Sequence, residues 1–132
     1  MDRLTGINKR GDWKMVNEEP DSETSEDDLR HFFQLRNFKY VEANGDTTSV
    51  KVTDTSWVDH FRDGTYSRLS LRKVKENEYV ISFMESDNIL RKNLSKPGDK
   101  YRYKILKRYQ NYYLMYVEPV GSDVKSEFKL YY

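Results

Sequence analysis

The chain has 132 residues, with 23 Lys and Arg against 22 Asp and Glu and no cysteine. That length suits one domain, 1–132, and a net charge of +1 gives no overall pull toward nucleic acid. Without cysteine there are no disulfides, cysteine-bound zinc sites or thiol nucleophiles in these residues. No run of about 20 apolar residues forms a membrane-spanning helix.

The first apolar stretch, Trp13-Lys14-Met15-Val16, predicts a short strand over 12–17, opened by Gly11-Asp12. Glu18, Glu19, Asp21, Glu23, Glu26, Asp27 and Asp28 then follow within eleven residues that contain no base. This run lacks the ordered ligand spacing and internal glycine of a calcium loop, so it reads as a solvated loop. Ser25 suits a helix N-cap, and the acids after it suit a first turn. Leu29, Phe32 and Phe33 keep helical spacing. The expectation is a short helix near 26–36 covering one end of the fold, with a strand over 31–36 as the alternative.

From residue 37 the turn signals are regular. Asn44-Gly45 joins strands near 37–43 and 46–53, and Asp63-Gly64 joins 56–62 to 65–74. Residues 75–78 turn into 79–85, and a longer loop spans 86–99. Gln110-Asn111 separates 100–109 from 112–118, and residues 119–123 lead into a last strand near 124–131. About nine strands at this spacing predict an all-β fold. The architecture is an antiparallel up-and-down meander barrel of eight to ten strands.

Turn lengths set the expected register. A two-residue turn at Asp63-Gly64 pairs Phe61 with Tyr66, Asp59 with Arg68, and Trp57 with Ser70. A four-residue loop at 75–78 pairs Arg72 with Ile81, Ser70 with Phe83, and Arg68 with Glu85. The interior face then collects Trp57, Phe61, Tyr66, Tyr79, Ile81 and Phe83, with Asp59, Arg68 and Glu85 as a structural ion-pair ladder. Arg72 shares that face without an acid opposite it. It is therefore the candidate anchor for an anionic head group, or else it snorkels to the rim. A bulge in 65–74 would invert part of this assignment, and Leu69 and Leu71 on the opposite face point that way. The Gln110-Asn111 turn likewise places Tyr101, Tyr103, Ile105, Leu114 and Tyr116 inside.

Gly11-Asp12-Trp13 before a β meander, Phe61-Arg62-Asp63-Gly64-Thr65-Tyr66, and Gly98-Asp99-Lys100-Tyr101 together resemble the lipocalin-like (calycin) family. The likeness is closest to small bacterial lipocalin-like domains of exported lipoproteins. The resemblance covers most of the chain. It implies a barrel that binds small apolar or amphipathic molecules without catalysis, in an extracytoplasmic rather than cytoplasmic setting. It also implies that Gly11 and Trp13 are structural, Trp13 being a plug at the barrel base. The family carries an Arg after its last barrel strand where Glu118-Pro119 stands here. Fatty-acid-binding proteins share the length and a helical lid after the first strand, but their C-terminal carboxylate-binding motif is absent.

Eleven Tyr, six Phe and two Trp supply large rings with polar tips, suited to a half-wet cavity. Residues Arg72, Tyr66, Tyr79, Ile81, Phe83, Phe61, Trp57, Tyr101, Tyr103 and Tyr116 are the expected ligand-contacting set. His31 and His60 lie in different elements without a nucleophile, metal-ligand spacing is absent, and no glycine-rich phosphate loop occurs. The expectation is therefore a non-enzymatic binder without metal or cofactor. The alternative is a protein-interaction or structural barrel. A basic, aromatic face around Arg102, Lys104, Lys107, Arg108, Tyr109 and Tyr113 is the basis for a less favoured reading, single-stranded nucleic-acid binding.

Overall fold

A computed structural model describes residues 12–132, so Gly11 lies outside the described residues. The elements are β1 (Trp13–Met15), α1 (Glu26–Gln34), β2 (Asn37–Val41), β3 (Thr47–Val52), β4 (Ser56–His60) and β5 (Tyr66–Lys75). There follow β6 (Glu78–Ser86), α2 (Ile89–Leu94), β7 (Lys100–Arg108), β8 (Tyr112–Pro119) and β9 (Ser126–Tyr131). Strands β2 to β9 pair antiparallel in chain order, and β9 returns to β2, so eight strands close a barrel. β9 pairs with β8 over its whole length. Its other edge is shared: β1 takes Ser126 to Phe128, and β2 takes Tyr131 through Lys39.

Each barrel end carries a helix. α1 starts where the acids predict it. Ser25 Oγ accepts from the Asp28 N–H at 3.1 Å, and Asp28 Oδ2 accepts from the Ser25 N–H at 3.0 Å. Phe32 is buried and packs edge-on against Tyr113 and tilted against Phe38 and Tyr79. The second helix, α2, lies within the loop expected over 86–99. Asn88 caps it by accepting from the Arg91 N–H. It has six residues, none buried, so no apolar periodicity announced it.

Aromatic rings fill the interior. Trp13 stacks on Phe128 with centroids 4.4 Å apart and donates from Nε1 to the Val41 carbonyl at 2.7 Å. Tyr79 and Tyr103 stack at 5.2 Å, and Trp57 tilts against both. The Tyr79 hydroxyl is fully buried without a hydrogen-bond partner. Burial, with Tyr103 and Asp59 nearby, pushes its pKa up and keeps it protonated.

The expected register needs three corrections. Phe61 and Thr65 close the hairpin through the Phe61 N–H and Thr65 carbonyl, leaving three loop residues, Arg62-Asp63-Gly64. Gly64 takes φ +88°, the left-handed position of a three-residue hairpin. Trp57 therefore faces Leu69, and Asp59 faces Ser67. At the other end of β5 a register shift between Lys73 and Lys75 sets Arg72 opposite Val80 and Leu71 opposite Ile81. Relative to its neighbours β4 and β6, β5 is thus inverted: Ser67 and Leu69 are buried, whereas Arg68 and Arg72 are exposed. The Gln110-Asn111 turn pairs Lys107 with Leu114 as expected, but a shift between Ile105 and Lys107 then sets Lys104 opposite Tyr116. Tyr113, Met115 and Val117 join the core, and Tyr116 turns outward.

The acidic run is not a free loop. From the Val16 N–H, held by the Lys125 carbonyl, it travels along the outside of β7 to the helix at the opposite end. Ser22 Oγ donates to the Ile105 carbonyl at 2.8 Å, and the Glu23 N–H donates to the Leu106 carbonyl at 2.6 Å. Glu19 pairs with Arg102 and with Lys104, Glu23 approaches Lys107, and Asp28 approaches Arg108. Arg102 also bonds Glu78 at 2.8 Å and Glu118 at 2.6 Å. The basic face of β7 is thus matched by acids of the same chain.

Two outcomes follow from this packing. Trp13→Ala removes a buried ring and is expected to lower unfolding free energy by about 3–5 kcal/mol in denaturant titration. The second concerns Glu19, whose pKa is lowered chiefly by its hydrogen bond to Arg102. A depressed carboxylate stabilises the fold above its unfolded value, roughly 4.3, and that contribution is lost as pH falls through the lower folded value. Glu19→Gln should therefore cost under about 1 kcal/mol at pH 7, since the pair is partly exposed. The gap from wild type should close on acidification below about pH 4.

Candidate functional site: a cavity beneath the second helix

At the α2 end the barrel opens into a cavity of about 330 Å³. Its polar lining is Asp59, Ser67, Arg91, Ser95, Asp99 and Lys100, and its apolar wall is built by Leu69 from β5, Ile81 and Phe83 from β6, and Tyr101 and Tyr103 from β7. Leu94 from α2, with Pro119 and Val120, completes it. This volume lies at the small end of ligand pockets. The strand alternation explains the wall, because every second residue of β5, β6 and β7 points inward.

Asp59 is the acid set into the interior wall. It is 1% exposed, and its Oδ1 accepts from Trp57 Nε1 at 3.1 Å and from the Tyr40 hydroxyl at 3.2 Å. Burying a carboxylate is costly unless donors surround it, and those two rings hold it in place. Ser67, opposite it on β5, also lines the cavity and donates to Ser86 Oγ at 2.9 Å.

The mouth is held by α2. Arg91 reaches Glu42 Oε2 at 2.8 Å, and its guanidinium lies 4.6 Å from the Phe61 ring centroid. Thr48 Oγ1 donates to the same Glu42 oxygen at 2.6 Å. At the far end of α2 the Ser95 and Tyr101 hydroxyls meet at 2.7 Å. The helix is thus tied to the β2–β3 hairpin at one point and to β7 at another. Its residues Ile89, Leu90 and Leu94 stay exposed.

The expected ligand-contacting set divides. Ile81, Phe83, Tyr101 and Tyr103 line the cavity. Trp57 and Tyr79 lie farther along the barrel, in the wall of a second space of about 250 Å³ beside α1. Phe61 sits in the hairpin under Arg91. Three residues are corrected outright. Arg72 is exposed on the outer face, because β5 is inverted. Tyr66, also outside, donates from its hydroxyl to Glu85 at 3.0 Å. Tyr116 is buried, but on the outer face beneath the acidic run: its hydroxyl bonds Glu118 and Arg102 lies over its ring. The ladder of Asp59, Arg68 and Glu85 splits as well. Arg68 and Glu85 pair at 3.1 Å on the surface, while Asp59 is inside. Leu69, Ser67, Arg91 and Leu94 were not in the expected set. Leu69 and Leu71 at alternate positions were the signal for the first; nothing in the pattern marked α2.

His31 belongs to the α1 end. The Tyr113 hydroxyl donates to the Asp28 carbonyl at 2.7 Å, so His31 Nδ1–H is the donor across its 2.7 Å contact with Tyr113. Desolvation, helped by Arg108, lowers the His31 pKa and favours the neutral ring. Among the described residues no group of three or more His, Asp and Glu side chains is placed to hold a metal ion.

Comparison with protein-family models, curated proteins and solved structures finds no match. The closed eight-stranded antiparallel barrel is therefore the firm point of contact with the lipocalin-like pattern.

Arg91 holds the mouth through one charged contact, which gives a direct test. Arg91→Met keeps an unbranched apolar side chain and removes both the pairing with Glu42 and the guanidinium over Phe61. Amide hydrogen exchange over 89–94 should quicken while exchange in β2 to β9 stays near wild type.

Proposed function

We propose that the protein is a non-catalytic binder of a small amphipathic molecule, held in the cavity under α2, and that it is lipocalin-like in this use of a barrel. The observation that carries the reading is a cavity in which the apolar wall of Leu69, Ile81, Phe83, Tyr101 and Tyr103 stands beside polar groups at Asp59, Ser67, Ser95 and Asp99. Such a combination of apolar wall and sparse, oriented polarity is what small-ligand sites present. The occupant is small, because the cavity holds about 330 Å³ and the rings of Trp13, Trp57, Tyr79, Tyr113 and Phe128 are packed in the core beyond it. α2 acts as the lid, since a short helix with no buried residue opens at low cost.

A second reading, a protein-interaction module, draws on one feature. Ile89 is 78% exposed, and Leu90, Leu94 and Val120 are exposed with it at the same end. The two readings separate in one experiment. Freshly purified protein is examined by native mass spectrometry, then titrated with the neutral fluorophore N-phenyl-1-naphthylamine. The binder reading expects a co-purifying small molecule or saturable one-to-one fluorescence. It also expects Leu94→Trp, which fills the mouth from a side chain already half in solvent, to weaken that binding at least tenfold. Absence of any saturable binding, or indifference to Leu94→Trp, would end the cavity reading in favour of the interaction module.

A further inference from the structure

We infer that the space beside α1 is a second binding site, for a small aromatic acid, with the carboxylate at Lys73 and the ring against Phe33 and Trp57. This goes beyond the cavity under α2 and does not depend on it.

The inversion of β5 carries the argument. It turns Arg72 outward and brings the next residue inward. Lys73 stands opposite Tyr79 in the β5–β6 ladder, and residues opposite one another share a face. Tyr79 is fully buried, so Lys73 holds an inward position near the end of β5, in step with Ser67, Leu69 and Leu71. Its side chain is exposed there, and its ammonium lies 4.5 Å from the Phe33 ring centroid. Beside it is the space of about 250 Å³, walled by Phe33, Val52, Trp57, Leu71 and Tyr79. A lysine with its stem along an apolar wall keeps its charge where that wall meets water. An aromatic ring in this space packs against rings, and a carboxylate on it accepts a charge-assisted hydrogen bond from the ammonium. The volume suits one or two fused rings. The other charged side chains lining the space are Arg36 and Asp54, which pair with each other at 2.9 Å. No carboxylate among the described residues pairs with Lys73. Lys73 also borders a neighbouring groove with Glu26, Arg30 and Glu76, where Arg30 pairs with Asp27. Those two glutamates line that groove and not this space, so they temper the pull of Lys73 on an anion without reversing it.

The test uses three probes with one ring system and different heads: 2-naphthoate, 2-naphthalenemethanol and 2-naphthylmethylammonium. Each is titrated calorimetrically at pH 7 into the full chain, and again into Leu94→Trp, which fills the mouth at the other end. The expected order in both is naphthoate tightest and naphthylmethylammonium weakest, at least fivefold apart. Lys73→Met keeps an unbranched apolar side chain and removes the charge. It should shrink the difference below twofold and leave naphthalenemethanol affinity unchanged. Leu71→Trp, which fills the space from its own wall, should weaken all three probes at least tenfold. Naphthylmethylammonium binding as tightly as naphthoate overturns the assignment, and so does a preference that survives Lys73→Met. Binding lost in Leu94→Trp belongs to the cavity under α2; it overturns the second site and leaves the first reading standing. Failure of all three probes to bind overturns the second site as well. The Lys73→Met series decides the question even where Leu71→Trp does not fold.

Discussion

Closure of the barrel depends on how the two edges of β9 are used. An open sheet of this length leaves a row of unpaired N–H and C=O groups at each edge, which invites pairing with other chains. Here β8 covers one edge of β9 completely, while the other edge is divided between β1 and β2. The contact between β9 and β2 is brief, a single register pair at Lys39 and Tyr131. The three residues of β1 therefore do more than their length suggests. They pair the first half of β9 and deliver Trp13 onto Phe128 and under the Val41 carbonyl of β2. One indole thus bridges the two strands whose direct pairing is shortest, and the interior rings pack against that seam.

The strap after β1 extends the same logic along the outside. It begins where Val16 meets Lys125, and ends at Ser25, the N-cap of α1. Between them its acids meet the bases of β7, and the Ser22 hydroxyl and the Glu23 N–H donate to the Ile105 and Leu106 carbonyls next to the register shift between Ile105 and Lys107. A bulge leaves backbone groups without ladder partners, and the strap supplies partners there. The strap also accounts for Leu106 and Tyr116, which are buried but stand apart from the central core. The uneven charge along the chain, acids early and bases late, is the sequence trace of this contact.

Strand number, strand order and the capped helix α1 were legible, because glycine turns and apolar spacing are local signals. The faces of β5 and β8 were not. Each depends on a one-residue event at a strand end: a three-residue loop instead of two at Gly64, and register shifts near Lys73 and Ile105. With a side-chain period of two, one residue inverts a whole strand. The candidate site inherited that error. β6 and β7 were read correctly and contribute Ile81, Phe83, Tyr101 and Tyr103, while Arg72 and Tyr66 went to the wrong face with β5. Asp59, set aside as part of a structural ladder, turned out to be a buried acid within the cavity wall.

The two ends of the barrel differ in the chemistry of their caps. α1 closes its end with Phe32 seated among Phe38, Tyr79 and Tyr113, an apolar plug that water disfavours opening. α2 closes the other end with charge and hydroxyl contacts, Arg91 to Glu42 and Ser95 to Tyr101. Such contacts exchange readily for water, so breaking them exposes little new apolar surface. A ligand entering a filled, aromatic barrel needs one end that opens at low cost and one that does not. Among the described residues, the α2 end joins a cavity to a cap held by polar contacts, and the proposed site is placed there for that reason.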